Sequence, residues 1–160
     1  MKQILFINGS PNLNGNTATM AKRMLEGMDY EILNLINYKI YPLGQSFDDD
    51  CFETVMQKIL SADVLVIGSP VYWHSVTGQF HSLLDRIYKS PLKLQMKGKD
   101  LFFIFQGANP SSATLEAGND MMGAFCRMFG LHYQGMATNA SEAENLRTSL
   151  QSITSHINYE

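Results

Sequence analysis

Three short segments hold most of the side chains that could bind or react with a ligand in this 160-residue chain. The first, Gly9-Ser10-Pro11-Asn12-Leu13-Asn14-Gly15-Asn16-Thr17, sets hydroxyls at Ser10 and Thr17 among the amides of Asn12, Asn14 and Asn16. Its glycines allow a tight turn and close backbone approach. The segment stands between an apolar run and an amphipathic stretch, where the N–H groups and dipole of a helix start converge on an anion. No lysine or arginine occurs in it. A nucleoside triphosphatase needs the Lys of Gly-x-x-x-x-Gly-Lys-[Ser/Thr], and here Asn16 follows Gly15. A dinucleotide fingerprint is missing too, because Gly9 and Gly15 do not form Gly-x-Gly-x-x-Gly and Leu35-Ile36-Asn37 offers a ribose no acid. Neutral donors in this arrangement suit one phosphate monoester. The competing reading is a capped turn with Asn16 or Thr17 as N-cap, a routine use of those residue types.

The second segment, Gly68-Ser69-Pro70-Val71-Tyr72-Trp73-His74, places two large aromatics beside a stiffening proline. A flat ring system could lie against Pro70, Val71, Tyr72 and Trp73. Taken alone, Trp73 reads first as a core or interface anchor. The third segment, Gln106-Gly107-Ala108-Asn109-Pro110-Ser111-Ser112, again offers small and polar residues after an apolar run. Each segment by itself is compatible with a turn, and their joint placement points to one ligand site.

What must position them is a series of short apolar runs alternating with longer amphipathic stretches. The runs Gln3 to Ile7, Tyr30 to Leu35, Val64 to Ile67, Leu101 to Phe105 and Tyr133 to Thr138 predict strands. The first, third and fourth are almost uninterrupted, as strands covered on both faces should be. Apolar residues at near-helical spacing predict helices over Thr17 to Met28, Phe52 to Leu60, Val76 to Tyr88, Thr114 to Phe129 and Glu142 to Ile157. The expectation is an α/β doubly wound, five-stranded parallel sheet with helices on both faces. The flavodoxin-like order 2-1-3-4-5 would put the ligand crevice beyond the carboxyl ends of strands one and three. No repeat or linker divides the chain, so residues 1–160 are expected to form a single domain.

Composition narrows the partners. Net charge is −3 and no dense Lys/Arg patch exists, so neither nucleic acid nor an anionic membrane is expected. No apolar segment approaches transmembrane length, and the run after Met1-Lys2-Gln3 is too brief for a signal peptide. Asp48-Asp49-Asp50 reads as a solvated loop ending at a helix start, with a metal site the weaker reading. Cys51 and Cys126 show no Cys-x-x-Cys spacing and fit a reducing cytoplasm. A carboxylate-flanked Cys51 is read as structural. His74, His81, His132 and His156 show no metal-ligand spacing, and only His74 lies beside the aromatic loop. No nucleophile elbow is present, so hydrolase chemistry has no support; no metal is expected, and no side chain is singled out as catalytic. Met121, Met122, Phe125, Met128 and Phe129 form a soft apolar surface suited to core or dimer contact.

The sequence resembles the NAD(P)H-dependent FMN reductase superfamily through Gly9-Ser10-Pro11, Gly15-Asn16-Thr17 and Ser69-Pro70-Val71-Tyr72-Trp73, followed by Thr77-Gly78-Gln79-Phe80 and Leu84-Asp85-Arg86. The likeness is strongest from Lys2 to Arg86. It implies a flavodoxin-like fold, FMN held at the three loops, and a homodimer or homotetramer whose neighbouring chain helps to close the site. By position, Ser10, Asn12, Asn14, Asn16 and Thr17 would take the phosphate and Pro70, Val71, Tyr72 and Trp73 the isoalloxazine. Gln106, Gly107 and Ala108 would meet its far edge. The iron–sulfur flavoprotein branch is close, but its cysteine cluster motif is missing: Tyr41 to Cys51 contains Cys51 alone, so no cluster is expected. A lysine common in the helix after the second loop is replaced by His81. The resemblance thus implies an oxidoreductase that takes hydride from NAD(P)H and passes electrons to a small-molecule acceptor: a quinone, a nitro or azo compound, or free flavin. The alternative is an electron carrier or flavin-binding regulatory module without turnover. The modest acidity weighs against a carrier, whose docking usually relies on stronger charge complementarity.

Overall fold

Uninterrupted apolar runs bury both faces, and they become the centre of the sheet. The computed structural model describes residues 1–155, in which β1 (Ile4–Asn8), β2 (Glu31–Asn34), β3 (Val64–Pro70), β4 (Asp100–Gln106) and β5 (His132–Ala137) pair in parallel. Their order is β2-β1-β3-β4-β5, as expected for a flavodoxin-like sheet. β1 and β3 are buried at every residue, whereas the edge strands β2 and β5 are partly exposed.

Successive strand residues point to opposite faces, and the two faces recruit different helices. α1 (Asn16–Met24) and α5 (Ala140–Ser155) bring Met20, Met24 and Leu150 against Ile4, Phe6, Val64, Val66, Phe102 and Ile104. α2 (Phe52–Ser61), α3 (Gly78–Lys89) and α4 (Ser112–Phe129) cover Leu5, Ile7, Leu65, Ile67, Phe103 and Phe105 with Met56, Phe80, Leu83 and Met122 among others. The expected continuation of the last helix to Ile157, and His156 with it, lie outside the described residues.

Two boundaries differ from the sequence expectation by more than two residues. α1 stops at Met24 rather than Met28 because Gly27 takes a left-handed φ of 80°, closing the helix with a turn from Leu25 to Met28. β3 continues past Ile67 to Pro70, with Ser69 and Pro70 still in register with Phe105 and Gln106. Gly68, Ser69 and Pro70 therefore belong to the sheet and project its ligand end outward.

The segment between β2 and α2 is fastened to α3. The guanidinium of Arg86 donates to both carboxylate oxygens of Asp50 at 2.6 and 3.0 Å and to the carbonyl of Tyr41 at 3.0 Å, and it lies over the Phe52 ring. Asp50 also accepts the N–H of Phe52 and so opens α2. Asp49, its neighbour, is taken up by Lys39 and Tyr41. Two of the three consecutive carboxylates are thus engaged in ion pairs.

The Arg86 hydrogen bonds hold the Asp50 carboxyl below its ordinary 3.8. A depressed carboxylate stabilises the fold at pH values above its unfolded pKa, and that contribution is lost as pH falls through the folded value. Arg86→Ala should therefore cost about 2 kcal/mol at pH 7, between the figures for exposed and buried pairs. In urea melts, the difference from wild type should shrink once the pH passes below the ordinary carboxylate value; a gap that stays constant into acid would refute the assignment.

Candidate functional site

All three candidate loops emerge from the carboxyl ends of β1, β3 and β4, and hydrogen bonds join them into one surface. Gly9 donates its N–H to the carbonyl of Gly68 at 2.7 Å. The Thr77 hydroxyl donates to the carbonyl of Gly9 at 2.8 Å, and the N–H of Thr77 donates to Ser69 Oγ at 3.1 Å. Val71 donates to the carbonyl of Gln106 at 2.8 Å. Gln106 Nε2 donates to Thr17 Oγ1 at 3.1 Å, which ties the third loop to the first helix.

Within the first loop, side chains organise the backbone in a relay. Asn8 Oδ1 accepts from the Ser10 N–H, Ser10 Oγ from the Asn12 N–H, and Asn12 Oδ1 from the Asn14 N–H, each at 3.1 Å. Asn8 is itself fixed by donating from Nδ2 to Asn34 Oδ1 on β2 at 3.0 Å. Such short-range bonds from Ser and Asn side chains are the usual way to hold a non-repetitive turn. Sequence reasoning omitted Asn8 and Asn34 because they sit at strand ends and not in the loop.

The capped-turn reading is not what forms. The N-cap of α1 is Gly15, which has no side chain to offer, and Asn16 and Thr17 are already helical. Among the described residues the first-turn N–H groups of Asn16, Thr17 and Ala18 have no acceptor, so the positive end of α1 is left open to an external anion. Thr17 is buried, and its hydroxyl accepts the Gln106 amide, which leaves the hydroxyl proton free to donate. Asn12, Asn14 and Asn16 are exposed around this opening, and Ser10 is buried beneath it. Close packing sets the geometry: a Cβ on Gly15 would stand 3.1 Å from Asn12 Cγ, and one on Gly68 only 2.6 Å from Thr17 Cγ2.

After β3 the chain makes a tight hairpin, with Tyr72 and Ser75 exchanging both backbone hydrogen bonds. Trp73 and His74 form its tip with φ of 51° and 60°, and Trp73 is 97% exposed. Pro70 is buried at the strand end, Val71 is half-buried, and Tyr72 is exposed. His74 Nδ1 lies 2.9 Å from Thr114 Oγ1 on α4, and Ser75 Oγ lies 2.8 Å from His81 Nε2 on α3. A groove of about 360 Å³ separates this hairpin from Gly107, Ala108, Asn109 and Pro110. The two walls touch at their base, where a Cβ on Gly107 would come within 3.2 Å of Val71 Cβ.

The residues singled out from the sequence stand on three hydrogen-bonded segments at one end of the sheet, with Ser10, Thr17 and Pro70 buried, and Gln106 has a different partner. Its amide is bound to Thr17 on the anion side, while Gly107 and Ala108 line the groove of the aromatic hairpin. The cysteines lie apart. Cys126 is buried on α4 with burial pushing its thiol up to about 12, and Cys51 precedes α2. Among the described residues no three His, Cys, Asp or Glu side chains come together, and no helix is long and apolar enough to cross a membrane.

Residues 2–143 match the family model described as NADPH-dependent FMN reductase. A Bacillus subtilis protein provisionally named NAD(P)H-dependent FMN-containing oxidoreductase YwqN is 27% identical over 151 residues, covering 84% of this chain and 80% of the relative. An iron–sulfur flavoprotein of Archaeoglobus fulgidus is 34% identical over 97 residues, covering 52% of this chain and 48% of that protein. This chain thus spans about half of that relative. Among solved structures, the Trp repressor binding protein from Bacillus subtilis superposes with a TM-score of 0.74 at 21% identity, over 90% of this chain and 99% of that one. That likeness shows a shared fold.

Proposed function

Since the chain belongs to the NADPH-dependent FMN reductase family and is an oxidoreductase using FMN and NAD(P)H, we propose that its three joined loops hold FMN and pass reducing equivalents to a small diffusible acceptor. The observation that carries the proposal is the open first turn of α1, whose N–H groups lack acceptors among the described residues and whose buried Thr17 hydroxyl accepts the Gln106 amide and keeps its own proton to donate. An uncapped helix start ringed by Ser10, Asn12, Asn14 and Asn16 suits a phosphate monoester. The groove between the 71–74 hairpin and Gly107 is the matching place for a flat ring.

FMN, when bound, supplies the hydride chemistry. The chain's own residues bind and orient. Thr17, Asn16 and the first-turn amides fix the phosphate end. Val71, Gly107 and Ala108 bound the ring site with small side chains and backbone groups, and Trp73 stands at its rim ready to cover it. No side chain of the first loop carries charge, so affinity rests on hydrogen-bond geometry. The near-complete exposure of Trp73 on a left-handed turn favours a homo-oligomer in which a neighbouring copy meets this rim. Free thiols on a single-domain chain suit the cytoplasm.

The test is optical. Purified protein supplemented with FMN and desalted should keep a flavin spectrum, and addition of NADH or NADPH without oxygen should bleach it. Protein that retains no flavin after desalting, or a bound flavin that neither nucleotide bleaches, would sink the proposal.

A further inference from the structure

The last residue of β1 is an asparagine that solvent does not reach, and both ends of its side chain are used. Asn8 Oδ1 accepts the Ser10 N–H at 3.1 Å, and Nδ2 donates to Asn34 Oδ1 on β2 at 3.0 Å. Chemistry fixes this orientation. A backbone N–H can only donate, so the atom facing Ser10 must be Oδ1; Nδ2 is then left for β2, and the atom it meets there must be an acceptor. Turned over, the amide would set Nδ2 against the Ser10 N–H, donor to donor. Asn34 supplies the acceptor that holds it in the productive sense.

One rung of the sheet thereby governs both ends of the anion loop. Asn8 stands in register with Asn34 on one side and Gly68 on the other. Through Asn8 the rung sets Ser10, whose Oγ accepts the Asn12 N–H, and Asn12 Oδ1 in turn accepts the Asn14 N–H, both at 3.1 Å. Through Gly68, which has no Cβ, it leaves room for Thr17, whose Cγ2 lies 2.6 Å from where that Cβ would stand. Thr17 Oγ1 accepts the Gln106 amide. Ser10, Asn12 and Thr17 thus each engage an oxygen as acceptor, and what they have left to offer is the two hydroxyl protons and the Asn12 Nδ2 group, all donors. A loop without a cation needs that polarity to hold an anion, and the sense of the Asn8 amide begins it.

We propose that Asn8 and Asn34 are positioning residues for the phosphate end of the site. Neither needs to touch the ligand: Asn34 acts from the edge strand through Asn8, Ser10 and Asn12. The proposal rests on the FMN reading above. Without the Asn34 acceptor, Asn8 Nδ2 is buried and unpaired, and the strain is relieved only by moving the amide away from Ser10. The ring groove of Val71, Gly107 and Ala108 is no part of this chain of bonds.

Asn34→Leu tests this at a half-buried position. Its Kd for FMN, read from flavin fluorescence quenching, should rise about tenfold, the loss of one hydrogen bond, while its Kd for riboflavin stays within about threefold of wild type. Asn34→Asp keeps an oxygen for Asn8. At about 1 M ionic strength, where the added charge is screened beyond roughly 3 Å, it should bind FMN within about threefold of wild type in the same buffer. Asn8→Leu should raise the FMN Kd about thirtyfold, and adding Asn34→Leu should raise it less than about twofold further, because Asn34 reaches the loop only through Asn8. Should Asn8→Leu not fold, the contrast between the two Asn34 variants decides alone. Equal loss of FMN and riboflavin in Asn34→Leu, wild-type FMN affinity in that variant, an Asn34→Asp as weak as Asn34→Leu, or additive losses in the double variant would each overturn the proposal. Wild-type protein that binds neither flavin would instead overturn the FMN reading.

Discussion

Gly118→Ala should lower the stability of the protein by about 2 kcal/mol, although alanine favours a helix over glycine by roughly 1 kcal/mol. Gly118 sits inside α4, and a Cβ there would stand 2.3 Å from Phe105 Cε1 and 2.5 Å from Cδ1. The Phe105 ring cannot step aside, because it is fully buried and stacked on Phe103 with centroids 5.3 Å apart. Relief requires α4 to lift from β4, and interiors packed at crystal density resist that. The urea midpoint should fall with an unchanged slope, and the melting temperature should drop by roughly 4–8 °C. Combining Gly118→Ala with Phe105→Leu should lose less than the sum of the two single changes, the signature of a shared contact. Additive losses would mean that the clash is not what glycine prevents. The consequence reaches the site, since α4 carries Thr114 at its first turn and β4 ends at Gln106.

The sheet was legible because burial on both faces leaves an unmistakable mark: Ile4 to Ile7, Val64 to Ile67 and Leu101 to Phe105 carry no polar residue. Its order was legible only as one option among doubly wound folds, since periodicity records which face is buried and not which strand lies beside it. The extension of β3 through Gly68, Ser69 and Pro70 could not be read, because those residue types ordinarily signal a turn. What keeps them in the sheet is long-range: Gly9 donates to Gly68, and Val71 donates to Gln106.

The site divides in the same way. Hydroxyls and amides without a cation between Gly9 and Thr17 announced an anion loop, and the structure adds that Gly15 leaves the helix start uncapped. Two features had no local signal. The Gln106–Thr17 hydrogen bond joins residues 89 positions apart. The left-handed hairpin at Trp73 and His74 opens on a tryptophan, which has none of the preference for positive φ that glycine, asparagine, aspartate and histidine carry. Its cause is tertiary: the His74 ring is held by Thr114 and the hairpin base by His81. The loop that sequence chemistry reads best is held by its own side chains, and the one it reads worst is held by two helices.

The second large effect concerns phosphate. Asn16→Ala combined with Thr17→Ala removes two neutral donors beside the open turn of α1. Hydrogen bonds to a charged group are worth about 1.5–3 kcal/mol each, so FMN affinity should fall by roughly several hundredfold. Riboflavin, which has the same ring and no phosphate, should lose less than about threefold, because the groove formed by Val71, Gly107 and Ala108 is untouched. Two remote changes should reproduce the pattern more weakly. Gln106→Leu frees the Thr17 hydroxyl to rotate, and Gly68→Ala drives a Cβ to 2.6 Å from Thr17 Cγ2 and displaces it. Both act on the phosphate end from another strand, so each should widen the gap between riboflavin and FMN losses without touching the loop itself. Dissociation constants from flavin fluorescence quenching would decide the matter. An equal loss for FMN and riboflavin in the double variant would show that Asn16 and Thr17 support the loop rather than read the phosphate, and the anion would then rest on the helix amides alone.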